Sequence, residues 1–416
     1  MGLKIVRRAA PIAAAAVAIL AFAPPSSAAP GLFPSDILVR IVEAASQRVI
    51  QDSKWGFIGQ LQTALNLKAG ACGHAPVPVD GRYGRATADA LQAIAQCIGA
   101  PLEATDAPHL TSTAFRAITG EAPPSALDRA RTLARTLEGT DYDSLEWNVC
   151  VAFKGDQGSV LTWGPYGKTL GWGGELMDVL KGIDRAKLRR VFAQEGARGI
   201  DQLLALKTAK ELRVESSHRY PGARAAMVKL CRQRGQMAAW ERAFARLGAD
   251  PQVRALYDTE AWGEGAWFRT VVNKLSDSWI AAGLTPTEVD FAFFLDRSIH
   301  MGWGAARFAA VDAALADLKA RTPPQDFTNA RARLAVADAV RARAHPEDRL
   351  ARDAIFLVDA EAELSPAMAE SSTWPSGWRG LWRARANISA ADVGLSDARP
   401  APEWPDAAAG GAIGAP

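Results

Sequence analysis

Two acids eighteen residues apart frame the segment RTLEGTDYDSLEWNVCVAFKGDQG, residues 135–158. Glu138 ends the helical pattern ALDRARTLARTL, with Leu127, Leu133 and Leu137 on its apolar side, and is followed by Gly139, a helix stop. Asp156 sits in the glycine turn KGDQGS. Glycosidic bonds are cut by such pairs. One carboxyl protonates the leaving oxygen, the other acts on the far face of the sugar, and about 6.5–9.5 Å between them leaves room for a water in inverting enzymes. The acid needs an apolar setting that raises its pKa; its partner needs an exposed, polar one that keeps it ionised. Glu138 and Asp156 meet those requirements in that order, although carboxylates at helix ends and in turns also occur on ordinary surfaces. Asp143 and Glu146, close by, read as solvated or structural carboxylates.

Aromatic faces stack on sugar rings, which makes Trp163, Tyr166 and Trp172 in GSVLTWGPYGKTLGWGG candidate substrate contacts, or else packing between lobes. Asp296 and His300, four apart, share one helix face and read as a hydrogen-bonded pair that orders the core rather than as a catalytic dyad.

The elements that must position these residues are mostly helical. Apolar residues recur at helical spacing, as in Leu203, Leu204, Leu206 and Leu212 and in Val311, Ala314, Leu315 and Leu318, and alternating strand-like runs are nearly absent. The expected fold is mainly α, with one small β-hairpin in the glycine- and tryptophan-rich stretch just quoted.

The first 28 residues read as a secretory signal: Lys4, Arg7 and Arg8, an apolar run from Ala9 to Ala23, then Ser26-Ser27-Ala28. Residues 30–120 form a small helical module, 121–127 a linker ending in a helix cap at Ser125, 128–385 the large domain, and 386–416 a low-complexity tail with no means of forming a core. No later stretch approaches the roughly 18 apolar residues of a membrane span. A secreted or periplasmic, cell-wall-associated monomer is expected.

In an oxidising compartment Cys72, Cys97, Cys150 and Cys231 pair, and of three possible pairings Cys72–Cys97 with Cys150–Cys231 is favoured because each bond stays within one domain. The histidines lack metal-ligand spacing, so neither metal nor cofactor is expected. The net charge of +3 loses three cations with the signal, which argues against nucleic acid.

FIGQLQTALNL followed by PVDGRYGRATADALQAIAQ places Asp80, Gly81, Gly84 and Thr87 ahead of a helix face of Ala90, Leu91 and Ile94. The glycines would supply positive φ in a tight turn and Thr87 would cap free amides. Over about 45 residues this resembles the peptidoglycan-binding type 1 module, a three-helix bundle, which implies contact with the cell wall.

From Leu127 to about Leu364 the chain resembles glycoside hydrolase family 46, the chitosanase branch of the lysozyme-like superfamily. The matching pieces, in order, are LEG…DSLEWN, GDQGSVLTWGPYGKTLGWGGELMDVL, MAAWERAF and FFLDRSIHMGWGAARFAAVDAALADLKARTP. The resemblance implies a two-lobed α-rich domain in which Glu138 is the general acid and Asp156 the base. It further implies that Thr162 holds the attacking water and Glu175 binds sugar. The family's turn carries an Arg after Gly-Asp-Gly; here the turn reads Gly155-Asp156-Gln157-Gly158 without one.

Chitosan is a polycation and would favour an acidic cleft, yet residues 131–345 hold 31 Lys and Arg against 25 Asp and Glu. An exported glycosidase acting on β-1,4-linked amino-sugar polymer, peptidoglycan first, is therefore expected. The alternatives are chitosan or chitin hydrolysis, a lytic transglycosylase, and a wall-binding protein on a degenerate scaffold. The Trp-rich STWPSGWRGLW, with Trp374, Trp378 and Trp382 at every fourth position, reads as a packed helical face rather than a partner site.

Overall fold

The computed structural model describes residues 37–39, 49–100, 109–150, 159–171, 173–213, 218–340, 346–360, 362–364 and 388–404. Asp156, Trp172, the signal segment and the Trp374–Trp382 stretch lie outside them. Among the described residues the chain is mainly helical with sheets of two or three strands.

In the N-terminal part β1 (Ile37–Val39) and β2 (Ile50–Gln51) precede α1 (Phe57–Ala69). Then come β3 (Arg82–Tyr83), α2 (Arg85–Cys97), β4 (Leu110–Thr111) and α3 (Ser112–Thr119). β1 pairs with β4 and β2 with β3, both antiparallel. The three helices pack on one another through Leu61, Leu65, Leu91, Ile94, Phe115 and Ile118, all buried. Cys72–Cys97 closes this part.

The Asp-Gly motif is spent on the fold. Gln62 of α1 donates to Asp80 Oδ1 (2.8 Å) and Thr87 Oγ1 (3.1 Å) and accepts from the backbone N–H of Asp80 and Gly81. Gly81 has φ +73°, and a Cβ there would lie 2.4 Å from the Asp52 carbonyl oxygen, so only glycine fits. Two expectations need correcting. Gly84 is extended at φ −101° and serves as the N-cap of α2, not as a positive-φ turn residue. Thr87 lies inside α2, where its hydroxyl donates to the Arg82 carbonyl (3.0 Å) instead of capping amides.

In the large part α4 (Ala126–Glu138) begins with a capping box in which Ser125 and Asp128 satisfy each other's free groups, and it ends at Gly139, φ +68°. β5 (Leu145–Glu146), β6 (Ser159–Trp163) and β7 (Lys168–Gly171) follow. The expected hairpin is β6–β7, and β5 adds a third strand that sequence did not signal because it is two residues long. The remaining helices are α5 (Glu175–Gly182), α6 (Arg185–Gln194), α7 (Ile200–Leu204), α8 (Ala223–Cys231), α9 (Gln236–Ala249), α10 (Pro251–Trp262), α11 (Trp267–Ala282), α12 (Glu288–His300), α13 (Ala305–Arg321), α14 (Asn329–Val340) and α15 (Pro346–Leu357).

α12 is the axis of this part. It is buried nearly all round, from Glu288 to Ser298, and packs on α4, α11 and α15. Cys150–Cys231 ties the segment after β5 to the end of α8, so both favoured pairings are formed. Among the described residues no helix is long and apolar enough to cross a membrane.

The two ends of the described chain close on α4. Arg135 of α4 is buried against Asp52 (2.5 Å), Gln51 exchanges hydrogen bonds with Thr136, and Ser53 donates to Asp141 (2.7 Å). The tail expectation is corrected: residues 388–404 are built into the molecule, with Ile388, Ala390, Val393 and Leu395 buried. Arg129 of α4 donates to the carbonyls of Val393 and Gly394, Arg333 of α14 pairs with Asp397 (2.6 Å), and Trp404 stacks on Trp262. The small and proline residues of this stretch conceal four spaced aliphatic anchors, and the charges that fix it are supplied by distant helices.

Candidate active site

Glu138 is the last residue of α4, placed where the αL turn at Gly139 redirects the chain. Its carboxyl is 15 % exposed, and both neighbouring donors converge on one oxygen: His300 Nε2 is 2.9 Å and Arg352 Nη2 3.2 Å from Oε1. Arg352, on α15, also donates to the Leu137 carbonyl and holds Asp296 of α12 at 2.6 Å. Burial disfavours the ionised form and Asp296 adds repulsion, while Arg352 opposes both. Burial wins and pushes Glu138 up to about 7. Near neutral pH the group can give a proton, and Oε2 is the oxygen that neither His300 nor Arg352 is paired with.

The three-stranded sheet supplies the surface next to that oxygen. Directly paired residues on neighbouring strands project to the same face. Glu146 pairs with Thr162 and Thr162 with Thr169, making a polar row across β5, β6 and β7. Thr169 Oγ1 donates to Glu175 Oε2 (3.3 Å), which extends the row to the first turn of α5. Asn148 Nδ2 donates to Thr162 Oγ1 (2.8 Å). Gly167 joins the row to the acid: a Cβ at this position would lie 3.7 Å from Thr162 Cγ2 and 3.9 Å from Glu138 Oε2. Thr162 and Oε2 thus border the same point.

The opposite face belongs to the core, and two expectations fall with it. Trp163 is fully buried; it donates to the Tyr142 carbonyl (2.6 Å) and packs edge-on against Phe244 and Tyr257. Tyr166 is fully buried too, its hydroxyl accepting from Arg135 (2.5 Å) and its ring against Trp262 and Tyr257. Neither ring is open to solvent. Strand alternation carries the signal for Trp163: as the neighbour of Thr162 it must point to the opposite face. Lys168, also on the inner face, is buried over the Tyr257 and Phe268 rings and is held down to about 8 by that burial, against the pull of Glu175 and other nearby acids.

Asp296 and His300 do not form the expected pair. Asp296 faces Arg352 and lies 4.0 Å from Arg297, whereas His300, nearer the helix end, turns to Glu138. A four-residue spacing set the face correctly but could not choose the partner. Asp143 is structural as expected, bridged to Lys54 at 2.5 Å. Glu146 differs from it in being exposed beside Thr162. The partial desolvation of its carboxyl and the nearby Glu138 both raise the Glu146 pKa.

The structure therefore brings together Glu138, Thr162 and Glu175 of the expected site, and adds His300, Arg352, Asn148 and Glu146. No local pattern marks Arg352, which acts across 214 residues of chain. Among the described residues no group of His, Cys, Asp and Glu is arranged to hold a metal ion. No family model matches the chain, and no curated protein or solved structure matches it.

Proposed function

We propose that the protein is an exported glycosidase that hydrolyses β-1,4-linked amino-sugar polymer, peptidoglycan first, by an inverting mechanism of the kind implied by its resemblance to the family 46 chitosanases. The observation that carries the reading is Glu138. It is a helix-end carboxyl kept protonated near neutrality by burial, with one oxygen fixed by His300 and Arg352 and the other turned toward a row of hydroxyls and carboxylates.

In this reading Oε2 delivers its proton to the glycosidic oxygen as the bond to C1 breaks. A water on the far face of the ring attacks C1 and gives its proton to Asp156, the second carboxylate by resemblance. Thr162 holds that water: with its oxygen already accepting from Asn148, the hydroxyl hydrogen is the part left to donate. Glu175, fixed by Thr169, contacts sugar hydroxyls or amines along the same floor.

A surplus of six basic residues over 131–345 favours an anionic polymer such as peptidoglycan. Exposed Glu146 and part-buried Glu175 beside the acid favour a second reading, chitosan. Wild-type protein and Glu138→Gln, each incubated with purified sacculi and with chitosan, distinguish the cases. New reducing ends of inverted configuration from one polymer, lost in the variant, identify the substrate. Identical behaviour of the two proteins on both polymers would leave a non-catalytic wall-binding protein instead.

A further inference from the structure

A water poised for inversion has four directions to satisfy. One lone pair points at C1 and one can accept a hydrogen bond; the two hydrogens need two acceptors. Thr162 supplies the donor, and a base takes one hydrogen. The second hydrogen needs another acceptor on the same face, and the sheet places one there.

We propose that Glu146 is a further catalytic residue of this site, its carboxylate accepting the second hydrogen of the attacking water that Thr162 holds. The inference rests on the hydrolase reading above and adds a residue that reading does not use. Three observations carry it. Glu146 is the direct cross-strand partner of Thr162, so their side chains emerge side by side from one face. Thr162 borders Glu138 Oε2 through the common neighbour Gly167, so that face is the one turned to the acid. Asn148, two residues beyond Glu146, donates to Thr162 Oγ1, which occupies a lone pair of that oxygen and leaves its hydrogen to donate.

Partial desolvation of its carboxyl and the neighbouring Glu138 both raise the Glu146 pKa, as two carboxyls sensing one another should. Glu138, the more enclosed of the two, keeps the proton, and the exposed Glu146 ionises first. The balance of the step is unchanged. The water oxygen bonds to C1, the C1–O bond breaks toward the leaving group, which takes the proton of Glu138, and the water proton goes to Asp156. Glu146 exchanges no proton; it aims the lone pair.

The test compares full-length wild type, Glu146→Gln, Glu138→Gln and, as a control, Asp143→Asn, whose carboxylate is engaged by Lys54. On the polymer that wild type cleaves, Glu146→Gln should lower kcat roughly a hundredfold with KM changed less than threefold, and Asp143→Asn should match wild type. A second readout needs no turnover. The Glu138 carboxyl, followed by carbon-13 NMR, should titrate at lower pH in Glu146→Gln than in wild type, because the charged neighbour that opposes its ionisation is gone. Glu146→Gln turning over like wild type while Glu138→Gln is inactive would overturn the role of Glu146 and leave the hydrolase reading standing. An unmoved titration of Glu138 in Glu146→Gln would overturn it on geometry. Wild type and Glu138→Gln equally inert would remove the hydrolase reading, and this role with it.

Discussion

Replacing Glu138 by Gln should stabilise the protein at alkaline pH while it abolishes cleavage. The carboxyl is held at about 7 in the fold, against an ordinary value of 4.5, and the cause is burial. Below pH 4.5 the group is neutral whether the chain is folded or not, and it costs nothing. Between 4.5 and 7 the unfolded chain ionises and the folded one resists, so stability falls as pH rises through that window and levels off above it. At about 1.4 kcal/mol per pH unit the loss reaches about 3 kcal/mol by pH 8. The groups that face Glu138 are His300 and Asp296 on α12, Arg352 on α15 and Glu146 on β5, and it is Arg352 that lowers its pKa. A glutamine keeps an acceptor for His300 and Arg352 and has no proton to lose. Melting curves of wild type and Glu138→Gln at pH 4 and pH 8 should coincide at the acid end and separate at the alkaline end. In a chain of this size the gap at pH 8 should be about 3–6 °C, the variant higher. Activity carries the same sign: kcat/KM of wild type should fall about tenfold per pH unit above about pH 7, as the proton donor is lost. Two melting curves within a degree of each other at pH 8 would refute the claim that this carboxyl is kept neutral by its surroundings.

Arg352→Met removes the cation that opposes burial. Glu138 should then hold its proton to higher pH, moving the alkaline limb of the activity profile upward, while Asp296, left buried without its arginine, should cost about 3–5 kcal/mol of stability in denaturant titrations. Cys150→Ser with Cys231→Ser opens a loop spanning 81 residues, and loop-closure entropy puts the loss at about 4.5 kcal/mol, measured by urea unfolding under non-reducing conditions. Trp163→Ala, at a fully buried ring, should lower stability by about 3–5 kcal/mol; the fraction that stays folded should keep the KM of wild type, since that side chain is closed to solvent. Deleting residues 388–416 should lower the melting temperature by many degrees, because the buried Arg129 of α4 and Arg333 of α14 lose the tail groups that pair with them.

The helix-end acid, its glycine stop, the serine cap and both disulfide pairings could be read from sequence because each is a local or combinatorial matter. A capping residue, an αL glycine and an apolar stripe all lie within about four turns of one another. What could not be read is long-range. The spacing puts His300 on its correct face but does not choose its neighbour, since a helix face specifies a direction and the packing of α12 on α4 decides what stands there. β5 is too short to show a period of two, and with it went the pairing of Glu146 to Thr162. Trp163 and Tyr166 were read by residue type, where alternation along β6 and the buried Arg135 beside Tyr166 were the deciding facts.

Charge placement also bears on how the N-terminal part works. A wall-binding module on a flexible tether would contribute nothing to the interior of its neighbour. Here Asp52 is the buried counter-charge of Arg135, one turn before Glu138, and the same arginine holds the Tyr166 hydroxyl in the loop that joins β6 to β7. Stripping Asp52 away leaves Arg135 charged and enclosed at the joint between α4 and the sheet, which are the two elements that carry Glu138 and Thr162. The cost would fall first on the alignment of those two, before the bundle itself unfolds. Asp52→Asn should therefore reduce turnover more than it reduces binding of the full-length protein to sacculi, both measured at a temperature where the variant remains folded. Loss of binding with turnover per bound molecule unchanged would mean that the N-terminal part is only an anchor.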